Sequence, residues 1–204
     1  MKKRIVLCAI ALCVSTLSPL SAYAVASPSE VSQVLQNSEA YMLSPDGERI
    51  DIDITDVEVR QIPVPVQYRT QSNYSDFVAY EVNAKTKTSQ SSYKKNGIDA
   101  SASLTMTWID GPRVDNKITN LTGYCTVAKG IFDYGNIYWG STYVIPKEAP
   151  HKQKVGESFN VDINYKSDDK VFGKVQATSI AYIISPKDDN KYSLVVNVSP
   201  TIFS

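Results

Sequence analysis

From Ile98 to Trp108 every second residue is apolar. Ile98, Ala100, Ala102, Leu104, Met106 and Trp108 hold one set of positions, and Asp99, Ser101, Ser103, Thr105 and Thr107 hold the other. A period of two places the sets on opposite faces of a β-strand. One face packs and the other meets water, as in an antiparallel sheet. A chain carrying this segment is committed to extended structure, and most of its remaining length reads the same way. Val78, Tyr80, Val82 and Ala84 alternate between Phe77 and Ala84. So do Phe159, Val161, Ile163 and Tyr165, then Val175, Ala177, Ala181 and Ile183 within 171–184, and finally Tyr192, Leu194, Val196 and Val198. Pro45-Asp46-Gly47 separates Tyr41-Met42-Leu43 from Ile50-Asp51-Ile52-Asp53-Ile54, which predicts a hairpin. The apolar positions slip by one before Val57 and Val59, so a bulge is expected near Thr55-Asp56. Pro63-Val64-Pro65-Val66 belongs at an edge or in a connection, because proline gives nothing to a ladder. Residues 121–143 predict two or three strands, broken at Lys129-Gly130 and at Gly135-Asn136. Turn chemistry separates the segments, so the expected fold is an all-β, antiparallel β-sandwich of about nine strands.

The N-terminus has a different character. Lys2, Lys3 and Arg4 precede the apolar run 5–14, Pro19 ends it, and Ala22-Tyr23-Ala24 has the small-x-small form of a cleavage site. Residues 1–24 read as a secretory signal peptide. The run is too short for a bilayer span of ~20 residues, and nothing later reaches that length, so no transmembrane segment is expected in the mature chain. Residues 25–40 form a lead-in. Ser27-Pro28-Ser29-Glu30 resembles a capping box, and Val31, Val34 and Leu35 recur at helical spacing, which predicts a short N-terminal helix after the signal peptide. Residues 41–204 are expected to form one β-sandwich domain, secreted to the extracellular space.

Of 21 Lys and Arg, three leave with the leader, so 18 face 21 Asp and Glu and the mature chain carries −3. That balance offers nothing to nucleic acid. Cys8 and Cys13 also leave, so Cys125 remains alone and no internal disulfide is expected. The expected state of Cys125 is a buried, inert thiol. His151 is the sole histidine and falls in the charged stretch 146–152, expected as a loop. No Gly-x-Ser-x-Gly elbow surrounds any serine, so no catalytic set is assigned. Asp51, Asp53 and Asp56, and likewise Asp188, Asp189 and Asn190, lack the spaced pattern of a calcium loop. No metal or other cofactor is expected.

Aromatic residues are the unusual richness. Tyr124, Phe132, Tyr134, Tyr138, Trp139 and Tyr143 crowd one stretch. Parity puts Trp139 with Ile137 and Ile145 on the core side and leaves Tyr138 outward. Tyr134 stays open, since Gly135-Asn136 can reset the register. Exposed tyrosine rings stack on sugars and carry a polar handle, so Tyr134 and Tyr138 are the candidate ligand-binding residues. A second signal is the Ser/Thr-rich, alternating stretch 86–107, whose first part lies in the polar arm 85–95. Such a stretch also suits a strand pair that inserts into a membrane.

Ser103-Leu104-Thr105-Met106-Thr107-Trp108, Asn116-Lys117-Ile118-Thr119, Gly123-Tyr124 and Tyr138-Trp139-Gly140 carry one resemblance. Over residues 98–143 the chain resembles small uncharacterised secreted β-sandwich proteins of Gram-positive bacteria. The resemblance implies a secreted sandwich and no particular activity. The functional expectation is a secreted, non-enzymatic extracellular binding module for a cell-wall or other cell-surface glycan, or for a protein partner. The alternative is a membrane-active, β-rich effector using 86–107.

Overall fold

A computed structural model of the chain describes residues 38–66, 77–88, 97–110, 117–141, 151–166 and 175–199. Eleven strands account for most of them: β1 Glu39–Leu43, β2 Arg49–Ile52, β3 Ile54–Ile62, β4 Val78–Lys87, β5 Asp99–Asp110, β6 Lys117–Lys129, β7 Ile131–Ser141, β8 His151–Val155, β9 Ser158–Lys166, β10 Val175–Ile184 and β11 Lys191–Val198. They form two antiparallel sheets. One has six strands in the order β2-β1-β11-β10-β7-β8, and the other has five in the order β3-β4-β5-β6-β9. The signal peptide and the short helix expected in the lead-in fall outside the described residues.

The expected pattern of faces holds. Ile98, Ala100, Ala102, Leu104, Met106 and Trp108 are all buried. They face Ala40, Met42, Ala177, Ala181, Ile183, Leu194, Val196 and Val198 of the other sheet in one apolar cluster. Tyr80 lies opposite Trp108 in the β4–β5 register, and their rings stack at 5.1 Å. The hairpin at Pro45-Asp46-Gly47 forms, with Gly47 at φ 88 and the Ser44 N–H donating to the Glu48 carbonyl at 2.9 Å. The bulge expected near Thr55 is present: the β3–β4 register shifts between Ile54 and Asp56.

Four expectations need correction. There are eleven strands rather than about nine. One added strand arises because the alternating run 50–59 divides at Asp53: Ile52 lies in the six-stranded sheet and Ile54 in the five-stranded one. The break at Gly135-Asn136 does not occur. Strand β7 runs straight through, and the register shift lies between Phe132 and Tyr134, opposite Ile183 and Tyr182. Gly135 and Asn136 are both buried there, and a Cβ on Gly135 would come within 3.0 Å of Val155 Cγ2. His151 opens the edge strand β8 instead of lying in a loop. The polar arm begins later than expected, since β4 continues to Lys87 and Thr86 and Thr88 are buried. The Thr88 hydroxyl accepts the Ala100 N–H at 2.9 Å, which lets a polar residue sit inside.

Gly130 does hold a break, and its role is architectural. Strand β6 belongs to the five-stranded sheet and β7 to the six-stranded one, so the chain changes sheets within one residue. Gly130 adopts φ 112, a backbone state that side chains resist. An added Cβ would also lie 2.9 Å from the Ile184 carbonyl oxygen. This corner sets the strand that carries both candidate tyrosines.

Candidate functional site

Strand β7 lies between β10 and β8, and its register fixes what stands beside each tyrosine. Tyr134 is opposite Tyr182, and Tyr138 is opposite Thr178 on one side and Lys152 on the other. Partners across a ladder share a face. Since Ile137 and Trp139 face inward, Tyr134, Asn136 and Tyr138 face outward together. The structure therefore brings both candidate residues onto the outer face of the six-stranded sheet. The register shift precedes Tyr134 and leaves its parity with Tyr138 intact.

Neither ring stands alone. Tyr134 stacks on Tyr182 with centroids 4.4 Å apart. Lys154 Nζ lies 4.7 Å and Lys191 Nζ 5.2 Å from the Tyr134 centroid. Lys152 Nζ lies 5.5 Å from that of Tyr138. On the same face, further along the sheet, Arg49 Cζ sits 3.9 Å above Tyr41. Exposed cation–ring contacts contribute only about 0.5–1 kcal/mol, so the lysines hold the rings loosely. Lys191 also pairs with Asp133 at 2.7 Å, which raises its pKa. Ile131, 64 % exposed, adds apolar surface near the same end of β7. The result is a cationic aromatic surface on a rigid sheet.

The remaining aromatic residues of that stretch scatter. Tyr124 projects from the outer face of the five-stranded sheet, while Phe132 packs against the core. Trp139 faces inward as expected, partly buried at the open side between the sheets. There it stacks against His151 at 5.5 Å, and His151 meets Tyr165 edge-on at 5.2 Å. These three rings bridge β7 and β8 to β9. They line a cavity of about 220 Å³ with Gln153, Val161, Asp162, Ile163 and Asn164. Tyr143 lies outside the described residues.

Sequence reasoning missed Tyr182, Lys152, Lys154 and Lys191. Tyr182 was hidden in a strand 44 positions beyond Tyr138, and only strand pairing places it beside Tyr134. The alternation of Lys152 and Lys154 within 151–155 was a usable signal, since alternating lysines mark an edge strand.

Residues with other chemistry are committed elsewhere. Cys125 is a buried free thiol, 6 % exposed. Burial, helped by the Glu157 carboxylate, pushes its pKa up to about 12. Asp51 pairs with Arg49 at 2.7 Å and Asp56 with Lys85 at 2.8 Å. Asp188 accepts the Tyr192 hydroxyl at 2.8 Å and the Asn190 N–H at 3.1 Å, which lowers its pKa. Among the described residues no group of three His, Cys, Asp or Glu is placed to hold a metal ion. Among them, too, no helix is long and apolar enough to cross a membrane. Comparison with protein-family models, with curated proteins and with solved structures returns no match.

Proposed function

We propose that this chain is a secreted, non-enzymatic binding module built as a β-sandwich. In this reading residues 1–24 are lost on export. The mature domain then engages a cell-surface glycan or a protein partner through the outer face of the six-stranded sheet. One observation carries the proposal: Tyr134 and Tyr138 share that face, extended by Tyr182 and flanked by Lys152, Lys154 and Lys191. Aromatic side chains with a polar end are the groups that binding surfaces concentrate. Catalysis gains less support. Cys125 is buried and held protonated at neutral pH, and the His151 ring is engaged by Trp139 and Tyr165. Kinship with the secreted Gram-positive proteins that 98–143 resembles belongs to the same proposal.

Co-sedimentation of the full chain with cell-wall material and, in parallel, with liposomes tests this reading. Pelleting with wall, weakened by Tyr138→Ala at unchanged thermal stability, is the expected result. Pelleting with liposomes alone would favour the membrane-active alternative. That alternative has the weaker structural support. Within 86–107, β5 is the central strand of its sheet, paired along its length to β4 and β6. Freeing it would break two ladders and expose Leu104 and Met106, both fully buried.

A further inference from the structure

Several cations on the two sheets pair with carboxylates. Arg49 pairs with Glu39 and Asp51, Arg60 with Glu81, Lys85 with Asp56, and Lys191 with Asp133. Lys152 and Lys154 have no carboxylate partner among the described residues and lean over tyrosine rings instead. Both are exposed on the edge strand β8, on the same face and two residues apart, so their backbone positions are about 6.7 Å apart. A cation held only by a half-buried ring readily leaves it to pair with an anion, and its departure uncovers the ring. Without residues 1–24 the chain has 18 basic against 21 acidic residues, so this positive character is local to the patch.

We infer that the tyrosine–lysine face takes an anionic glycan, one bearing carboxylate or phosphate groups. Lys152 and Lys154 pair with its anions, while the Tyr138 ring, with Tyr134 beside it, stacks on the sugar. The inference rests on the binding-module reading and narrows it. Ring faces favour a sugar polymer over an acidic polypeptide, because sugar CH groups match the face of a ring while Lys–anion pairs supply the charge complementarity.

The test is binding of the full chain to immobilised polygalacturonate and to a phosphorylated mannan, with neutral dextran and polyglutamate alongside. Binding is measured at roughly 0.01 M and 0.15 M salt, between which the Debye length falls from about 30 to about 8 Å. The expected result is binding to one or both anionic glycans, weakened about ten-fold by the higher salt. The double variant Lys152→Ala/Lys154→Ala is expected to lose about ten-fold, and Lys87→Ala, exposed on the other sheet, nothing. The carboxylated and phosphorylated arms identify which anion is read. Equal, salt-independent binding to dextran would overturn the inference and leave the binding-module reading standing. Equal binding to polyglutamate, or equal loss in Lys87→Ala, would overturn it in favour of bare charge. Binding to no glycan at all would overturn it together with the glycan form of that reading.

Discussion

On the outer face of the five-stranded sheet many polar groups answer one another, although Asn83 Oδ1 is buried there without a hydrogen-bond partner, whereas on the outer face of the six-stranded sheet two lysines lean on tyrosine rings. Asn120 Nδ2 donates to Asn160 Oδ1 at 2.8 Å, to the Val161 carbonyl at 3.2 Å and to Asp162 Oδ1 at 3.1 Å. The Thr119 hydroxyl donates to the Thr107 carbonyl, and Arg60 and Lys85 have acidic partners across the ladder. Groups so paired gain little from a ligand, because each new hydrogen bond replaces an existing one. The other face offers the rings of Tyr134 and Tyr138 and two ammonium groups with no carboxylate partner among the described residues. Both faces alternate with the same period of two, so periodicity does not distinguish them. What distinguishes them is who stands beside whom across the strands.

The comparison breaks first at the layer the faces share. Leu104, fully buried in the common cluster, holds both sheets in register. Leu104→Ala should cost about 2–5 kcal/mol in urea denaturation and take both faces with it. A loss confined to one sheet's probes would mean that the sheets fold separately. Next in size is a pH effect from the same layer. Folding raises the Cys125 pKa from 9.0 to about 12, so the folded state keeps a proton that the unfolded chain releases. This contribution to stability is fully present below pH 9 and is lost as pH rises towards about 12. Cys125→Ala should flatten that decline, and parallel profiles for the two proteins would contradict the burial argument.

Smaller effects sharpen the contrast between the faces. Asn120→Ala removes an amide whose two N–H groups reach three acceptors on the edge strand β9. It should lower stability by about 1 kcal/mol while leaving ligand binding untouched. A binding defect in that variant would place function on the wrong face for this account. Smallest of all is Lys85→Ala. Its pair with Asp56 is exposed to solvent, and no measurable shift in the urea midpoint is expected.

Much of this architecture is legible in the sequence, because alternation encodes which face a residue takes. The inward set of β5, the hairpin at Gly47, the bulge at Thr55 and the corner at Gly130 all follow from local chemistry. Sheet membership does not. Ile52 and Ile54 look like one strand in sequence and lie in different sheets, since nothing local marks where a strand changes partners. Gly135-Asn136 looks like a break and is strand interior, because the close approach of Val155 makes glycine useful there. The candidate site divides the same way. Tyr138 was legible by parity, whereas the company it keeps was not. Tyr182 and the β8 lysines arrive through β7–β10 and β7–β8 pairing, which no local pattern specifies.

The most direct test of the central claim sets one residue from each outer face side by side. Full-length protein, Tyr138→Ala and Thr122→Ala are compared for retention on cell-wall material, with urea midpoints measured on the same samples. The account predicts that Tyr138→Ala binds about ten-fold more weakly, a loss of ~1.4 kcal/mol, at an unchanged midpoint. Thr122→Ala, on the outer face of the five-stranded sheet, should bind as the parent does. Full retention by Tyr138→Ala together with loss in Thr122→Ala would move the binding surface to the other sheet and contradict the account.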